Sequence, residues 1–308
     1  MTIAQSHYQH IGIIGTGRVA QAFAVALSPL SSAPLSLSGR SADKCAQAIE
    51  RVTEGLPQNA PAPCMAGSLQ EMLQQCDLIL IAVSDDAIED VARQMAEHGP
   101  LNHSPLTFHP SGRCGLDVLA PWQAAGAQTA AIHPVMTFTG HPAEEARRMA
   151  GCSFAVSSSA DTQQHAMALV QALGGNGFTL DDAMRPLYHA ALSHAANHLV
   201  TVLAGAAEAL HMAGVANPYA VMAPLIRAAV ENSISSGFDA LSGPILRGDV
   251  DTIAGHLAAL YQYCPEILPD YSAMASATVR ELGNRTRTPS QSGADIMALI
   301  EKTQAAIS

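Results

Sequence analysis

The chain has 308 residues, of which 48% are hydrophobic, and its formal net charge at pH 7 is −11. This length suits two domains, and this composition provides a sizeable core and excludes a largely disordered chain. The acidic balance argues against a nucleic-acid partner, because binding a phosphate backbone requires a basic surface.

The sequence also lacks the signals of export, membrane insertion and metal binding. Its first ten residues, "MTIAQSHYQH", have neither the basic nor the apolar part of a signal peptide. No apolar run approaches the roughly 20 residues of a membrane span. The six cysteines are scattered without a C-x-x-C pair, which favours reduced, mostly buried thiols. We therefore expect a cytoplasmic protein that binds neither a membrane nor a metal ion.

The first half of the chain alternates between strand-like and helix-like segments, which predicts a parallel sheet with helices on both faces. The stretch "DLILIAV" at 77–83 is apolar throughout, as is typical of a central strand buried on both faces. The predicted strands are 11–14, 35–37, 78–83, 106–108, 129–132 and 153–156. The predicted helices are 20–27, 42–52, 68–75 and 86–96.

From residue 181 onward the chain is rich in Ala, Leu and Met at helical spacing, with few strand signals. The pattern predicts a long helix within 181–215 that ends near Gly214, and a loop at 284–293. Further helices are predicted at 218–235, 250–263, 269–283 and 293–306. We expect an α/β domain at residues 1–165 and an all-α domain at 166–308, with "GGNG" at 174–177 as a plausible junction.

The stretch "IGIIGTGRVA" at 11–20 places two glycines between a predicted strand and a predicted helix. Gly15 permits a tight turn, Gly17 lets a pyrophosphate approach the backbone, and the small Ala20 allows close packing of helix and strand. The anion would bind exposed N–H groups at the positive end of the helix. The other predicted cofactor contacts in this loop are Thr16, Arg18 and Val19. The pattern predicts a Rossmann-like, doubly wound dinucleotide-binding domain.

The segment that follows the second predicted strand indicates which dinucleotide binds. In NAD-binding domains an acidic residue at this point bonds the ribose hydroxyls. The segment "SLSGRSADK" at 36–44 has no carboxylate before its Asp, and offers Ser38, Arg40 and Ser41 instead. A guanidinium and hydroxyls suit a 2′-phosphate, so we predict NADP as the cofactor.

Ligands of an open parallel sheet bind beyond the carboxyl ends of its strands. Three predicted loops lie there, at 83–88, 108–115 and 132–140. We predict that Val83, Ser84 and Ser111 contact the cofactor, and that Ser111 and His133 contact the substrate. Ser84 and the two aspartates after it also suit the capping of a helix start.

The long helix carries a line of polar side chains. His189, Ser193 and Asn197 lie at i, i+4 and i+8 and therefore share one face. We predict that they are catalytic and that Asn197 also binds substrate. A hydrogen-bond network between helices is the alternative interpretation.

The stretch "LSGPILRGDVDTIAGHL" at 241–257 holds a second group of candidate residues. Ser242 lies in a predicted turn and is assigned to substrate binding. Arg247 can hold a substrate carboxylate bidentately, with a surface ion pair as the alternative. Asp249 suits the N-cap of the helix that follows.

Several stretches together resemble a bacterial family that joins a Rossmann-like domain to a helical C-terminal domain, DUF2520. They are "IGIIGTGRVA", "HPSG", "IHPVMTF", "LYHAALSHAANHLVTVLAGAAEAL" and "LSGPILRGDVDTIAGHL". That family is similar in architecture to ketopantoate reductases, pyrroline-5-carboxylate reductases and deazaflavin-linked NADP oxidoreductases. The resemblance implies an NADP-binding reductase.

Ketopantoate reductases carry Lys-x-x-x-Asn-x-x-x-Asn on the first long helix of their second domain. The matching residues here are His189, Ser193 and Asn197, and only the last agrees in type. The chain has two lysines, Lys44 and Lys302, and neither is near this helix in the sequence. Histidine titrates near neutral pH, so His189 is predicted to replace the lysine as the group that protonates or polarises the substrate oxygen.

These observations predict an NADPH-dependent reductase of a small 2-oxo acid, with 2-dehydropantoate (ketopantoate) as the best candidate substrate. Two alternatives stay open, an NADP-binding sensor without turnover and an imine reductase of the pyrroline-5-carboxylate type. The Ala- and Met-rich helices also predict a homodimer, because apolar helix faces must be buried.

Overall fold

The structure is a computed structural model that describes residues 8–56, 64–98, 101, 103–286 and 290–305. The chain divides into two compact units, residues 1–193 and 194–308. The domain boundary predicted between residues 165 and 166 falls inside the first unit and stays a prediction. Within the described ranges, no helix combines the length and apolar character needed to cross a membrane.

The first unit contains one sheet, with eight strands in the described ranges. They are β1 (Ile11–Ile14), β2 (Leu35–Ser38), β3 (Cys64–Ala66), β4 (Leu78–Ile81), β5 (Leu106–His109), β6 (Gln128–Pro134), β7 (Ser153–Ser158) and β8 (Asn176–Thr179). Their order is β3-β2-β1-β4-β5-β6-β7-β8, and β6 and β7 pair antiparallel whereas the other neighbours run parallel. The order of the first six strands is that of dinucleotide-binding sheets, which confirms the predicted fold class.

The two outer strands, β3 and β8, are missing from the prediction. β3 has three residues and all four residues of β8 are exposed, so neither has the apolar run of a central strand. Parallel pairing with β2 and β7 holds them in place. The "GGNG" stretch, which was predicted as a domain junction, includes the first two residues of β8, and the junction stays a prediction.

The described part of the first unit has seven helices before the long helix. They are α1 (Arg18–Leu27), α2 (Ala42–Gly55), α3 (Leu69–Gln75), α4 (Ile88–Ala96), α5 (Ala120–Ala124), α6 (Pro142–Met149) and α7 (Ala160–Ala172). The sequence predicted α1 to α4 and missed the other three. α5 is only five residues long, and α6 begins with a proline and carries four charged side chains, so neither has a long amphipathic repeat.

Both faces of the sheet are buried, as the apolar stretch at 77–83 predicted. Every residue of β4 is fully buried. Leu78 and Leu80 pack into a cluster with α1, α2 and α7, whereas Ile79 and Ile81 pack with α3 and α4 on the other face. This two-sided burial fixes the carboxyl ends of the central strands at one edge, where the candidate site lies.

The described helices from Arg185 onward are α8 (Arg185–Met212), α9 (Pro218–Ser236), α10 (Pro244–Arg247), α11 (Val250–Tyr263), α12 (Leu268–Thr286) and α13 (Gln291–Ala305). α8 begins in the first unit. The core of the second unit consists of Ile253, Leu257, Leu268, Ala275, Ile296 and Ile300 from α11, α12 and α13. The predicted helical second half is confirmed.

The loop predicted at 284–293 is shorter than expected. α12 continues to Thr286 and α13 begins at Gln291, while residues 287–289 lie outside the described ranges. Arg285 pairs with Glu281 one helical turn earlier at 2.9 Å, a contact that favours helix where composition alone favoured a loop.

Candidate cofactor and active site

The glycine loop has the geometry that the sequence predicted. Gly15 adopts a φ of +131°, and a Cβ there would lie 2.2 Å from the carbonyl oxygen of Ala82. The Gly15 N–H donates to the Ser38 carbonyl at 2.8 Å, which joins the loop to the end of β2. No side chain other than hydrogen fits at this position, because the backbone of the β4 loop occupies the space.

Gly17 has surroundings different from those of Gly15. It is exposed at the start of α1, and a Cβ there would meet nothing within 4 Å. The first turn of α1 contains no acidic residue and no side chain caps it. Ala20 is fully buried, as expected for the close-packing position. Gly17 therefore borders open space at the positive end of a helix, where a pyrophosphate can bind.

The other predicted residues of this loop differ in exposure. Arg18 is exposed, whereas Thr16 and Val19 are half-buried. The Thr16 carbonyl accepts from Nε2 of Gln21 at 2.9 Å, so α1 itself fixes the conformation of the loop.

The end of β2 provides one unpaired cation beside the glycine loop. Ser41 caps α2, since its hydroxyl accepts from the Lys44 N–H at 3.4 Å. A Cβ at Gly39 would lie 2.6 Å from Cγ2 of Thr16, so the two loops are in close contact. Arg40 is exposed and has no hydrogen-bond or ion-pair partner among the described residues. Its guanidinium is thus available to a ligand.

After β4, the two predicted capping aspartates have another partner. Ser84 makes no side-chain capping bond. Asp85 and Asp86 instead pair with Arg113 at 3.3 Å and 3.2 Å. The capping interpretation is therefore replaced by a contact that joins the β4 and β5 loops, and exposure keeps its contribution to stability small. Val83 is half-buried beside them.

The loop after β5 is built around two buried side chains. The Ser111 hydroxyl accepts from the backbone N–H groups of Arg113 and Cys114 at 3.2 Å and 3.0 Å. Nδ1 of His109 accepts from the Ser111 N–H at 3.3 Å, so its proton lies on Nε2, which donates to the Gly115 carbonyl at 2.9 Å. Burial lowers the pKa of His109 to about 4. The loop therefore depends on a neutral histidine.

A cluster of ring side chains forms where β6 ends and α8 begins. Nδ1 of His133 lies 2.7 Å from the Tyr188 hydroxyl, and the His133 and His189 ring centroids are 6.4 Å apart. A Cβ at Gly112 would lie 2.9 Å from Nε2 of His133 and 2.7 Å from Cδ2 of His189. The absence of a side chain at Gly112 thus lets both histidines approach the β5 loop.

Both members of the hydrogen-bonded pair in this cluster are neutral at pH 7. Burial, with the charge of Arg185 as the next cause, lowers the pKa of His133 to about 4. Burial raises the pKa of Tyr188 to about 12. Nε2 of His133 makes no hydrogen bond to any described residue and is not fully buried, so a ligand can reach it.

Arg185 joins the loop after β5 to strands β6 and β7. Its side chain is fully buried and donates to the Ser157 hydroxyl and to the carbonyls of Ser111 and Ala131 at 2.9, 3.0 and 2.7 Å. Oδ1 of Asp182 lies 3.4 Å from its Nε, too poorly aligned for a hydrogen bond. Burial lowers the pKa of Arg185, but arginine stays charged in proteins. The start of α8 thus places a cation beneath the cluster.

The predicted line on α8 is present but only partly buried. His189 and Ser193 are half-buried and Asn197 is exposed. Their side chains make no hydrogen bond to one another or to other described residues, so the alternative of an internal network lacks support. Ser242 and Arg247 are exposed in the second unit. The roles predicted for these five residues stay predictions.

Arg185, His109 and Tyr188 were not among the site residues predicted from the sequence. Arg185 bonds residues up to 74 positions away, so no local pattern distinguishes it. Glu145 was also not predicted from the sequence. This buried carboxylate on α6 accepts hydrogen bonds from the N–H groups of Thr139 and Gly140 and shapes the loop after β6. The described residues contain no group of three or more metal-ligating side chains.

Comparison with known protein families finds one matching domain model for each of two parts of the chain. Residues 2–134 match the model of a Rossmann-like domain, and residues 152–278 match that of a domain of unknown function, DUF2520. The chain therefore combines these two domains, as the resemblance indicated. No curated protein matches it in sequence.

Solved structures share this architecture at low sequence identity. A candidate NADP oxidoreductase from Bacteroides fragilis aligns with a TM-score of 0.69 and 20% identity, over 89% of this chain and 99% of its own. A pyrroline-5-carboxylate reductase from Streptococcus pyogenes gives 0.58 and 19%, over 96% and 98%. An imine reductase from Myxococcus stipitatus, solved with NADP+, gives 0.63 and 13%, over 96% and 99%. At these identities the likeness establishes the fold.

Proposed function

We propose that the chain is an NADPH-dependent oxidoreductase. The observation that carries this proposal is the pairing of an open glycine turn at Gly17 with the unpaired guanidinium of Arg40 at the end of β2. The turn suits a pyrophosphate and the guanidinium suits a 2′-phosphate. The structural neighbours described as an NADP oxidoreductase and as an NADP+ complex support the same cofactor.

The proposed reaction is the reduction of the carbonyl of a small 2-oxo acid, with 2-dehydropantoate as the first candidate. When bound, the reduced nicotinamide supplies the hydride, and this chain must stabilise the oxygen that gains negative charge. The charge of the buried Arg185 disfavours a further positive charge at His133. Such surroundings favour a developing alkoxide.

His133 and Tyr188 have complementary roles in this proposal. We infer that the Tyr188 hydroxyl, 2.7 Å from Nδ1 of His133, donates to that nitrogen and so leaves the histidine proton on Nε2. The Nε2–H can then donate to the substrate oxygen without becoming charged first. His189, whose ring lies beside that of His133, keeps its predicted role as the group that supplies the proton.

Imine reduction is the second candidate, because two of the similar structures are described as a pyrroline-5-carboxylate reductase and an imine reductase. A protonated imine is a cation, and the buried Arg185 beside His133 opposes its binding. The electrostatics of the first unit therefore favour the 2-oxo acid over the imine.

The test follows the oxidation of NADPH by the purified chain. 2-Dehydropantoate is added first, followed by other 2-oxo acids and by 1-pyrroline-5-carboxylate, and any activity is repeated with NADH. Turnover of a 2-oxo acid with a preference for NADPH supports the proposal. Turnover of the cyclic imine alone would make imines, rather than 2-oxo acids, the substrate class. NADPH binding without any turnover would favour the alternative of an NADP-binding sensor.

We also propose that the chain forms a homodimer through α9. This helix has 19 residues, of which only Met222 is buried. Large apolar side chains lie exposed along it, including Tyr219, Val221, Leu225 and Ile234. An apolar helix of this length gains stability by packing its free face, and a second copy of the chain provides a matching face.

A further inference from the structure

The second unit contains an open cavity whose lining includes Arg247, the predicted carboxylate ligand. Its volume is about 820 Å³, within the range of small-molecule pockets. It is bordered by α10 with the turn after it, by the last turns of α12 and by the first turn of α13. The polar groups that line it include Arg247, Arg280, Asn284, Ser290 and Ser292.

The turn Arg247-Gly248-Asp249 forms one wall, and two of its residues have clear structural roles. Gly248 ends α10 in the left-handed conformation, and a Cβ there would lie 2.5 Å from the Ser292 hydroxyl oxygen. The Asp249 carboxylate caps α11 by accepting from the N–H and hydroxyl of Thr252 at 3.0 Å and 2.7 Å. The side chain of Arg247 has no such structural role.

Two cations of the cavity have no hydrogen-bonded or ion-paired partner among the described residues, although, after the hydrogen bonds from Thr252, the charge of Arg247 helps to lower the pKa of Asp249. Arg247 and Arg280 make no hydrogen bond or ion pair with any described residue. In the same chain Arg93, Arg113 and Arg285 each pair with a carboxylate at 3.3 Å or less. The chain has 26 acidic residues against 15 lysines and arginines, so carboxylates to pair with them are plentiful. Other exposed arginines, such as Arg51 and Arg227, are also unpaired, so the observation that points to an anionic ligand is that two unpaired guanidiniums line the same cavity.

We propose that this cavity binds a small organic anion through a carboxylate or phosphate group held by Arg247 and Arg280. A planar guanidinium matches both groups through paired hydrogen bonds. Arg247 was predicted from the sequence to bind a carboxylate. The cavity adds Arg280 and the first turns of α13 to that predicted site. The proposal requires no NADPH and goes beyond the proposed function. The anion comes either from the oxo-acid substrate or from a separate phosphate-bearing metabolite.

The experiment measures binding of two probes to the full chain by calorimetry, without NADPH and at constant ionic strength. One probe is 2-dehydropantoate and the other is inorganic phosphate. Binding of the first with competition by the second assigns the anion to the substrate, whereas binding of phosphate alone assigns it to a separate metabolite. Either result supports the site when the variants below respond as expected.

The variants are Arg247→Gln and Arg280→Gln, with Arg227→Gln on α9 as the matched control, because Arg227 is also exposed and unpaired. Each cavity variant is expected to weaken binding about tenfold or more, and the control to leave it unchanged. Circular dichroism checks that each variant is folded. Lack of binding by both probes, or equal losses in Arg280→Gln and Arg227→Gln, overturns the proposal. Neither result depends on whether the chain is a reductase.

Discussion

The hydroxyl oxygen of Tyr188 lies 2.7 Å from Nδ1 of His133, so the first turn of α8 contacts the carboxyl end of β6. Both groups are neutral at pH 7, since the pKa values are about 12 for Tyr188 and about 4 for His133. The contact therefore orients the ring without an ion pair. It leaves Nε2 facing the space next to Gly112 and His189.

Removing the hydroxyl tests this orientation. Tyr188→Phe is expected to lower kcat of the proposed reductase about tenfold or more, because His133 loses the partner that fixes its proton on Nε2. The Kd for NADPH is expected to stay unchanged. The matched control is Tyr271→Phe, which removes a 2.8 Å contact to Nδ1 of His256 with nearly the same ring geometry. Equal effects of the two variants on kcat would contradict the role of Tyr188.

The two glycines of the cofactor loop should respond differently to alanine. Gly17→Ala adds a methyl group in open space, so the free energy of unfolding should change by less than about 1 kcal/mol. The Kd for NADPH should rise about tenfold or more, because the methyl group occupies the path of the pyrophosphate. Gly15→Ala should cost about 2–4 kcal/mol of stability through its contact with Ala82 and its positive φ. Denaturation and fluorescence titration with NADPH separate the two effects.

The glycine loop, the pair of His133 and Tyr188, and strand β8 show which features the sequence could predict and which it could not. The glycine loop was predicted because its signals are local, with β1, two glycines and α1 consecutive in the chain. The pair of His133 and Tyr188 spans 55 positions, and a single sequence gives no measure of such proximity. Strand β8 was missed for another reason, since an exposed edge strand held by backbone bonds needs no apolar pattern.

Arg40 should determine the choice between NADPH and NADH. Arg40→Gln is expected to raise the Kd for NADPH by about 10- to 100-fold and to leave the Kd for NADH unchanged, because only NADPH has the 2′-phosphate. Arg51→Gln on α2 is the matched control, since Arg51 is also exposed and unpaired. A similar loss of affinity for both nucleotides would assign Arg40 to another part of the cofactor.

The exposed face of α9 should control assembly. Val221 and Leu225 lie one helical turn apart on the same face and are 61% and 72% exposed. Replacing both with Glu should convert the proposed homodimer to a monomer, because the interface would then bury charges without partners. Sedimentation equilibrium measures the mass directly. Met65→Glu, at a 54% exposed position on β3, should leave the mass unchanged, and a wild-type monomer at all concentrations would refute the dimer.

The buried His109 should make stability depend on pH. Its pKa is about 4 in the folded chain, against 6.5 for an unperturbed histidine. Between these values the unfolded chain binds a proton that the folded chain excludes, so the free energy of unfolding falls as the pH drops from 6.5 toward 4. His109 alone should account for a loss of about 3 kcal/mol over that interval. The buried His133 acts in the same direction.

Denaturant unfolding at a series of pH values between 4.5 and 7.5 measures this dependence. His109→Asn should lower stability at pH 7.5, because the bond to Gly115 is lost, and should flatten the pH profile. The matched control is Thr107→Val on the same strand, which removes the buried bond from Trp122 without a titrating group. It should lower stability by a similar amount at every pH and keep the wild-type slope. A His109→Asn profile parallel to that of the wild type would show that the acid sensitivity arises elsewhere.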